Sequence, residues 1–356
     1  NKNFTIINGI QKGNNLFHSF SEFSIPTGGS ATFKNSTDVV NIINRVTGGN
    51  ISNIDGLIKA NGSANLFLIN PAGIVFGENA SLDIGGSFLG TTAESILFED
   101  GFEFSTLNPE AEPLLTVSVP LGLQMGSNSG SITLQGNGHK ITGGAFFPLN
   151  FNDTATGLKV NQGKTLALVG NEINLTGGII RVPGGNIELS SISEGILQFD
   201  NSSSSWQFDA SKVQKFGNIN LLEKSLLDTS GIITGDIQLQ GRNIILEDAS
   251  TVIIQNLGTQ ASGNITLNAI DTIKISDELR NAPDTVTPFG NVTGIALSRL
   301  TTETLGTGKA GDIFISSGNL FLKDVGLVFT RTYSTGDTGS IDINIGELLE
   351  IDGFSS

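Results

Sequence analysis

The sequence returns repeatedly to one short unit: a glycine, a polar residue, and then apolar residues at alternate positions. The unit occurs as "GSITLQ" from residue 130, "GNIELS" from 185, "GNINLL" from 217, "GDIQLQ" from 235, "GNITLN" from 263, "GDIFIS" from 311 and "GSIDIN" from 339. Alternation with a period of two is typical of β-strands, because successive side chains point to opposite faces. The chain is therefore predicted to consist of many short strands that restart after a glycine.

Most of these units are followed by a second alternating pair. In "GDIQLQGRNIILED", Ile237 and Leu239 are answered by Ile244 and Leu246. The leading isoleucines are spaced loosely, by 18 to 48 residues. Tight local form with loose spacing is what a solenoid shows when insertions lie in its loops. We therefore predict an all-β parallel β-helix. At roughly 22 residues a coil, the chain would make about sixteen coils and a rod on the order of 75 Å long.

One segment departs from the strand pattern. In "STDVVNIINRV", residues 36–46, Val39, Val40, Ile43 and Val46 fit the apolar face of a helix. The pattern leaves both a strand and a short helical turn open at this place.

Composition excludes several classes of partner. The chain carries 34 acidic and 19 basic residues, a net charge of −15, so nucleic acid and anionic membranes are not expected as partners. It has no cysteine, which excludes disulfides and thiolate metal sites. A continuous apolar run of about 18 residues, as a membrane-spanning helix needs, is also missing, so no membrane insertion is expected.

Catalytic and metal-binding patterns are weak. His18 and His139 are the only histidines and lie far apart in sequence. Parallel β-helices also include polysaccharide lyases and hydrolases, whose sites need several carboxylates on one face of the coils. Asp312, Asp324 and Asp337 lie near expected corners and are the candidates for such a group. Acidic corners are more often solvated turns, so we expect no enzyme activity, no cofactor and no metal.

The first 110 residues differ from the rest, because they are rich in phenylalanine and do not show the doublet. They contain "FHSFSEFSIPTGG" at 17–29, "INRV" at 43–46, "INPAGIVFG" at 69–77 and "FLGTTAESILF" at 88–98. In this order the motifs closely resemble the secretion domain of filamentous-haemagglutinin-type exoproteins of two-partner secretion systems (the TpsA family), most closely its cyanobacterial branch. The resemblance covers residues 1 to about 205, and the repeats of 206–356 are similar to those that come after this domain in the family.

The resemblance implies a right-handed parallel β-helix with an N-terminal β-cap. It also implies export to the periplasm and recognition there by the POTRA domains of an Omp85-type outer-membrane pore, the TpsB transporter. The family's Asn-Pro-Asn-Gly-Ile motif maps to Asn70, Pro71, Ala72, Gly73 and Ile74, with alanine in place of the second asparagine. Its Asn-Arg-Val element matches Asn44, Arg45 and Val46. These are the expected determinants of transporter recognition, although each residue type is also a common turn or core former.

Two regions are therefore expected: a secretion domain over 1–205 and β-helical filament repeats over 206–356, with "NSSSSW" at 201–206 at the boundary. The chain is expected to begin slightly inside the secretion domain, to have lost any leader, and to be the front piece of a longer filament. The predicted function is that of a secreted cell-surface adhesin, exported via the periplasm, with an unidentified host, cell or matrix ligand. The alternatives are a self-associating fibre or matrix subunit, or a β-helix polysaccharide lyase or hydrolase.

Overall fold

The computed structural model describes residues 2–107, 115–142, 147–151, 156–277 and 297–352. These residues form strands, bridges and turns but no helix, and so none that could span a membrane. The segment 36–46, for which the sequence leaves a helical turn open, contains a strand from Asn41 to Val46. The predicted all-β class is confirmed.

Thirty strands, numbered in chain order, occur in the described residues. The first ten are β1 (Asn3–Ile6), β2 (Ile10–Lys12), β3 (Asn15–Phe20), β4 (Ser30–Phe33), β5 (Asn41–Val46), β6 (Ser52–Ile54), β7 (Leu57–Ala60), β8 (Asn65–Ile69), β9 (Ile74–Phe76) and β10 (Ser81–Asp83). The next ten are β11 (Phe88–Thr91), β12 (Ser95–Phe98), β13 (Glu103–Ser105), β14 (Pro120–Met125), β15 (Ser131–Gln135), β16 (Leu158–Lys159), β17 (Thr165–Gly170), β18 (Glu172–Thr176), β19 (Ile179–Arg181) and β20 (Asn186–Asp200). The last ten are β21 (Gln207–Phe216), β22 (Asn218–Leu222), β23 (Leu226–Asp228), β24 (Ile237–Leu246), β25 (Thr251–Asn256), β26 (Ile265–Ser276), β27 (Arg299–Thr304), β28 (Ile313–Lys323), β29 (Leu327–Thr332) and β30 (Ile341–Ile351).

Parallel pairing between successive coils builds three long faces. The first sheet pairs its strands in the order β3, β5, β8, β11, β17, β20, β24, β26, β28, β30. The second sheet runs β6, β9, β15, β18, β22 and then through the later halves of β24, β26, β28 and β30. The third is in two pieces, β1, β4, β7, β10 and β16, β19, β23, β25, β27, β29. The chain is a parallel β-helix, as predicted; the expected β-cap stays a prediction.

The predicted doublet corresponds to two neighbouring faces of one coil. Ile237 and Leu239 lie in the first sheet, whereas Ile244 and Leu246, in the same long strand β24, lie in the second. The repeat units do not all occupy one face, because "GNINLL" from residue 217 forms β22 of the second sheet. The sequence pattern alone gives both faces the same signal.

The predicted number of coils is wrong. In the described residues the first sheet has ten strands, which at about 4.8 Å a coil make a rod of roughly 45 Å instead of 75 Å. A coil without insertion takes 28 residues between Ile237 and its partner Ile265, more than the 22 assumed. Long stretches such as 92–130 also lie outside the coils, so they add residues but no height.

The interior of the helix is a stack of aliphatic side chains. One inward column of the first sheet passes through all ten coils in register: Leu16, Ile42, Leu66, Phe88, Leu166, Ile187, Ile237, Ile265, Ile313 and Ile341. All but the last are buried. Because each coil presents the same apolar surface to the next, every added coil extends one continuous core.

A second sheet-like layer covers the outside of the first sheet near its N-terminal end. It is antiparallel, in the order β13, β12, β14, the later half of β20, and β21. The covered positions of the β-helix are apolar, among them Phe17, Ile43 and Phe67, and they pack against Phe104 and Trp206 of the covering layer. The first 110 residues are rich in phenylalanine because this region has a core on both sides of one sheet.

Trp206, at the expected boundary, belongs to this second core. Its indole is 2 % exposed and stacks on Phe67 at 5.4 Å and Phe199 at 5.9 Å between ring centroids. The first sheet continues without a break across residue 205, because β20 pairs with β24. The division at 205 stays a prediction.

Corner positions before the later strands of the first sheet form a hydrogen-bonded ladder. The backbone N–H of Asp236 donates to Asn186 Oδ1, that of Asn264 to Asp236 Oδ1, and that of Asp312 to Asn264 Oδ1, at 2.8 to 3.0 Å. Asp312 accepts in turn from Ser340 N at 2.6 Å. A short side chain with an acceptor oxygen is needed at every member, which explains the recurring Asn or Asp after glycine.

Candidate functional site

The Asn70–Gly73 segment forms the turn between β8 and β9, at the corner from the first to the second sheet. The N–H of Gly73 donates to the carbonyl of Asn70 at 3.1 Å, which closes a β-turn. The N–H of Ala72 donates to Asn70 Oδ1 at 3.0 Å. Gly73 adopts a φ of +128°. The predicted turn chemistry is confirmed: the asparagine side chain bonds its own turn, and the glycine takes a conformation that disfavours other residues.

The same turn is fastened to the coil before it. Asn70 Nδ2 donates to the carbonyl of Asn50 and to Ser52 Oγ, both at 2.9 Å. The N–H of Ser52 donates to the carbonyl of Gly73 at 3.1 Å. Asn70 is only 1 % exposed. Its carboxamide therefore makes three hydrogen bonds inside the folded chain, with both of its polar atoms engaged.

The turn is also fastened to later parts of the chain. The N–H of Asn70 donates to the carbonyl of Thr91 at 2.9 Å, and the N–H of Gly130 donates to the carbonyl of Pro71 at 2.7 Å. Ile74 is fully buried in the helix interior. Pro71 and Ala72 are the partly exposed members of the motif. The folded surface thus presents a proline ring and a methyl group here, while the asparagine is hidden beneath them.

Asn44, Arg45 and Val46 lie in β5, on the coil before the turn, and alternate between its two faces. Asn44 and Val46 point into the helix and are at most 1 % exposed. Asn44 Nδ2 donates to the carbonyl of Phe67 at 2.9 Å, whereas its Oδ1 is buried without a hydrogen-bond partner. Arg45 is paired in register with Ile69, directly before the turn. The structure therefore brings the two sequence motifs together on consecutive coils.

Arg45 points outward and holds the covering layer against the β-helix. Its Nε donates to Ser19 Oγ at 2.7 Å, its Nη1 donates to the carbonyl of Ser105, and its guanidinium lies 4.4 Å from the ring centroid of Phe104. Only 5 % of Arg45 is exposed. Burial lowers the pKa of the guanidinium, because the charged form loses water contacts. This residue joins β5 to β13, which sequence alone did not indicate.

The acidic candidates for an enzyme site have structural contacts at separate places. Asp312 lies before β28, bonds within the corner ladder and forms an ion pair with Lys309 at 2.8 Å. Asp324 follows the same strand at its other end, with a φ of +47°. Asp337 lies in the turn before β30, where its carbonyl accepts from Ala310 N. Among the described residues no three His, Asp or Glu side chains are grouped as metal ligands.

The histidines are packed within the structure. His18 lies in β3, is 8 % exposed and stacks on Phe20 with ring centroids 5.8 Å apart. Burial lowers its pKa to about 4. His139 is 3 % exposed, and its Nε2 lies 2.8 Å from the carbonyl oxygen of Ala249. Both rings therefore act as packed or hydrogen-bonding groups in this fold.

Comparison with protein families identifies the fold's role. A family model described as the TPS secretion domain matches residues 1–241. The chain belongs to this family. A TPS secretion domain directs the export of a two-partner secreted protein, so this protein is secreted by that pathway and interacts with a TpsB transporter. The predicted resemblance is confirmed at the level of the family; the cyanobacterial branch stays a prediction.

A solved structure shows similarity along nearly the whole chain. The chain is similar to the crystal structure of the HMW1 secretion domain from Haemophilus influenzae, with 17% sequence identity and a TM-score of 0.43, over 98% of this chain and 96% of that chain. No curated protein gave a match. The matched family is a secretion domain and not a family of enzymes.

Proposed function

We propose that this TPS domain belongs to a cell-surface adhesin and is recognised in the periplasm by the POTRA domains of an Omp85-type TpsB transporter. The observation that carries the proposal is the family match over residues 1–241. The β-helical repeats within 206–356 would then form the first part of the exposed filament, and an unidentified host, cell or matrix ligand would bind beyond the secretion domain. No catalytic step is part of this proposal.

We further infer that Asn44–Val46 and Asn70–Ile74 contribute to recognition before the chain folds. In the folded chain Asn44, Val46, Asn70 and Ile74 are at most 1 % exposed, so their side chains offer almost no surface to a partner. An extended chain would present the same side chains to water. Folding would then hide the signal once the segment has passed the transporter.

The test is binding of the chain, denatured and folded, to the purified POTRA region of its cognate transporter. Asn70→Ala and Pro71→Ala are the test variants, and Asn50→Ala, an exposed position in the preceding turn, is the matched control. We expect the unfolded wild type to bind and the two motif variants to bind at least about tenfold more weakly, which is about 1.4 kcal/mol. Equal binding of all variants would remove the motif from the recognition site. Binding by none would contradict the transporter assignment.

A second candidate, the self-associating fibre subunit, is favoured by one observation. The last described coil exposes apolar side chains whose register partners on the coil before it, Ile315, Leu320 and Leu322, are buried or partly buried. On this last coil Ile343 is 38 %, Leu349 47 % and Ile351 69 % exposed. An exposed apolar sheet end is prone to pair with another chain. Sedimentation velocity over a range of concentrations distinguishes the candidates, because a fibre subunit grows into long species without any transporter present.

A further inference from the structure

The chain that follows β15 leaves the coil and crosses the outside of the third sheet. We call its described residues, 136–142 and 147–151, the strap. The N–H of Thr142 and the carbonyl of Asn150 bond at 3.1 Å, and the reverse pair bonds at 2.7 Å, so the two parts of the strap are held side by side. The strap is thus an ordered element with its own pairing, in addition to its contacts with the sheet.

Apolar contacts attach the strap to three successive strands of the third sheet. Ile141, Leu149 and Phe151 of the strap pack with Ile179 of β19, Leu226 of β23 and Ile253 of β25. The side chains of Ile179, Leu226 and Ile253 are at most 2 % exposed. These outward positions are apolar because the strap covers them, just as the outward phenylalanines of the first sheet are covered by the antiparallel layer.

Hydrogen bonds hold the first part of the strap on coils that lie far ahead in sequence. The N–H of His139 donates to the carbonyl of Lys224 at 2.9 Å. The N–H of Ile141 donates to His139 Nδ1 at 3.2 Å, which makes Nδ1 the unprotonated nitrogen. Nε2 therefore carries the proton and donates to the carbonyl of Ala249 at 2.8 Å, across 110 residues of sequence.

The second part of the strap reaches further still. The N–H of Leu149 donates to Glu303 Oε2 at 3.2 Å, and Gln255 Nε2 donates both to the carbonyl of Leu149 at 3.0 Å and to Glu303 Oε2 at 3.1 Å. The side chain of Glu303 is completely buried, and its Oε1 lies 3.5 Å from Arg331 Nε. Burial raises the pKa of Glu303, whereas the hydrogen bonds from Gln255 and Leu149 oppose that rise. Leu149 and Glu303 are separated by 154 residues.

The order of these contacts is fixed by how a β-helix is built. Gln255 and Glu303 take their places only when β25 and β27 have paired onto the growing third sheet. The strap has by then been part of the chain for more than 100 residues, without its partners. The partners Ala249, Gln255 and Glu303 all lie beyond residue 241, where the family match ends.

We propose that the strap is a late-closing clamp, which docks only after the coils through β27 have formed and which locks the secretion domain to the later coils. Before docking, the apolar outer face of β19, β23 and β25 is open to water. After docking, the N-terminal and later coils unfold together. The clamp concerns the folding of this chain alone and does not depend on the transporter.

The first test follows refolding of the full chain by pulsed hydrogen exchange. Peptides that cover 139–142 and 149–150 report the strap, peptides that cover 41–46 report an early coil, and peptides that cover 299–304 report β27. We expect the strap amides to gain protection together with β27 or after it. Protection of the strap before β27 would overturn the proposal.

The second test uses Lys140, an exposed residue of the strap beside His139, as a site for trypsin in the native chain. Gln255→Ala removes two hydrogen bonds to Leu149 and Glu303, and we expect cleavage after Lys140 to become at least about tenfold faster. Leu257→Ala, two residues away and 47 % exposed, is the matched control and should leave the rate unchanged. Cleavage after Lys159 in β16 reports the helix itself. Unchanged cleavage at Lys140 in Gln255→Ala, or equal acceleration at Lys159, would contradict a separate clamp.

Discussion

Asn70 Nδ2 and Ser52 Oγ lie 2.9 Å apart and join two consecutive coils at a corner of the β-helix. The bond is buried, and Asn70 Oδ1 at the same time accepts from the N–H of Ala72. One side chain thus shapes its own turn and fixes that turn to the coil beneath it. A residue that resembles a recognition signal in the sequence is also part of the framework.

Replacement of this carboxamide tests the framework role directly. Asn70→Ala removes three hydrogen bonds and leaves the Ala72 N–H without its acceptor, so we expect a loss of about 2–4 kcal/mol of unfolding free energy. Asn70→Asp keeps the acceptor and loses the donor, and its stability should fall between that of the wild type and that of Asn70→Ala. Urea unfolding, followed by far-ultraviolet circular dichroism, measures the difference.

The matched control for this change is Asn79→Ala, an asparagine on an exposed turn that bonds Asp55. We expect it to change the unfolding free energy by less than about 1 kcal/mol. If Asn70→Ala were as mild as Asn79→Ala, the buried bonds would not carry the turn, and a purely recognition-based role would gain support.

Gly73 is predicted to be irreplaceable for two reasons that can be separated. Its φ is +128°, and a Cβ there would lie 3.2 Å from the carbonyl oxygen of Ser131. Gly73→Ala should therefore destabilise the chain by about 2 kcal/mol or more. Gly101 has a φ of +82°, and a Cβ there would meet no atom within 4 Å, so Gly101→Ala isolates the conformational part and should cost about 1 kcal/mol. Equal effects at both glycines would show that contact with Ser131 is unimportant; the readout is the urea midpoint.

The fold could be predicted well from the sequence where one period dominates. Ile237, Leu239, Ile244 and Leu246 alternate strictly, and each lies buried in the interior as expected. The number of coils was missed because Ile187 and Ile219 show the same local pattern, although they lie in different sheets. Alternation reveals which residues face inward but not which face of the coil a strand belongs to.

The covering elements could not be predicted for a different reason. Phe17, Ile43 and Phe67 are apolar on the outside of the first sheet, so their strands read as continuous apolar runs, typical of strands buried on both faces. The signal shows that something covers them but does not identify it. Arg45 with Ser105, and Leu149 with Glu303, join segments 60 and 154 residues apart, and no local pattern encodes such partners.

Arg45 is predicted to hold the covering layer through geometry as well as charge. Arg45→Lys keeps the charge but loses the planar group over Phe104 and the fork that reaches Ser19 and Ser105, so we expect a loss of about 1–2 kcal/mol. Hydrogen exchange of β13 should accelerate more than that of β8. The control is Arg242→Lys, whose side chain is 62 % exposed and pairs with Asp271 at the surface; it should change stability by less than about 0.5 kcal/mol. Unchanged exchange of β13 in Arg45→Lys would refute the anchoring role.

Glu188 marks the place where the outer column of the first sheet changes from apolar to polar. Its register neighbours are Ala167 on one side and Gln238 on the other. The side chain is 3 % exposed and receives a hydrogen bond from the hydroxyl of Ser190. Burial raises the pKa of this carboxyl from 4.5 to about 8, and the bond from Ser190 opposes the rise. Asp236 lines the same small polar cavity of about 210 Å³.

The sign of the resulting pH dependence is set by proton binding. Between pH 4.5 and about 8 the unfolded chain has an ionised Glu188, whereas the folded chain keeps it protonated. The folded state binds more protons, so its stability falls as pH rises through this window, by up to about 5 kcal/mol in total. His18 acts in the opposite direction at lower pH, because its pKa of about 4 in the folded chain makes stability rise between about 4 and 6.5. The effect of Glu188 is therefore seen most clearly from pH 6.5 to 8.

Glu188→Gln removes the ionisable group and keeps a side chain of nearly the same shape. We expect this variant to exceed the wild type in unfolding free energy by an amount that grows from pH 6.5 to 8 and then stays constant, since Glu188 of the wild type is ionised in both states above the higher pKa. Urea unfolding by circular dichroism at pH 5, 6.5, 8 and 9 measures the difference, in which the contribution of His18 cancels. Glu172→Gln, on the neighbouring β18 and partly exposed, is the matched control and should track the wild type. A constant difference between Glu188→Gln and the wild type at all four pH values would show that Glu188 ionises equally in both states, and that the covering layer does not keep it from water.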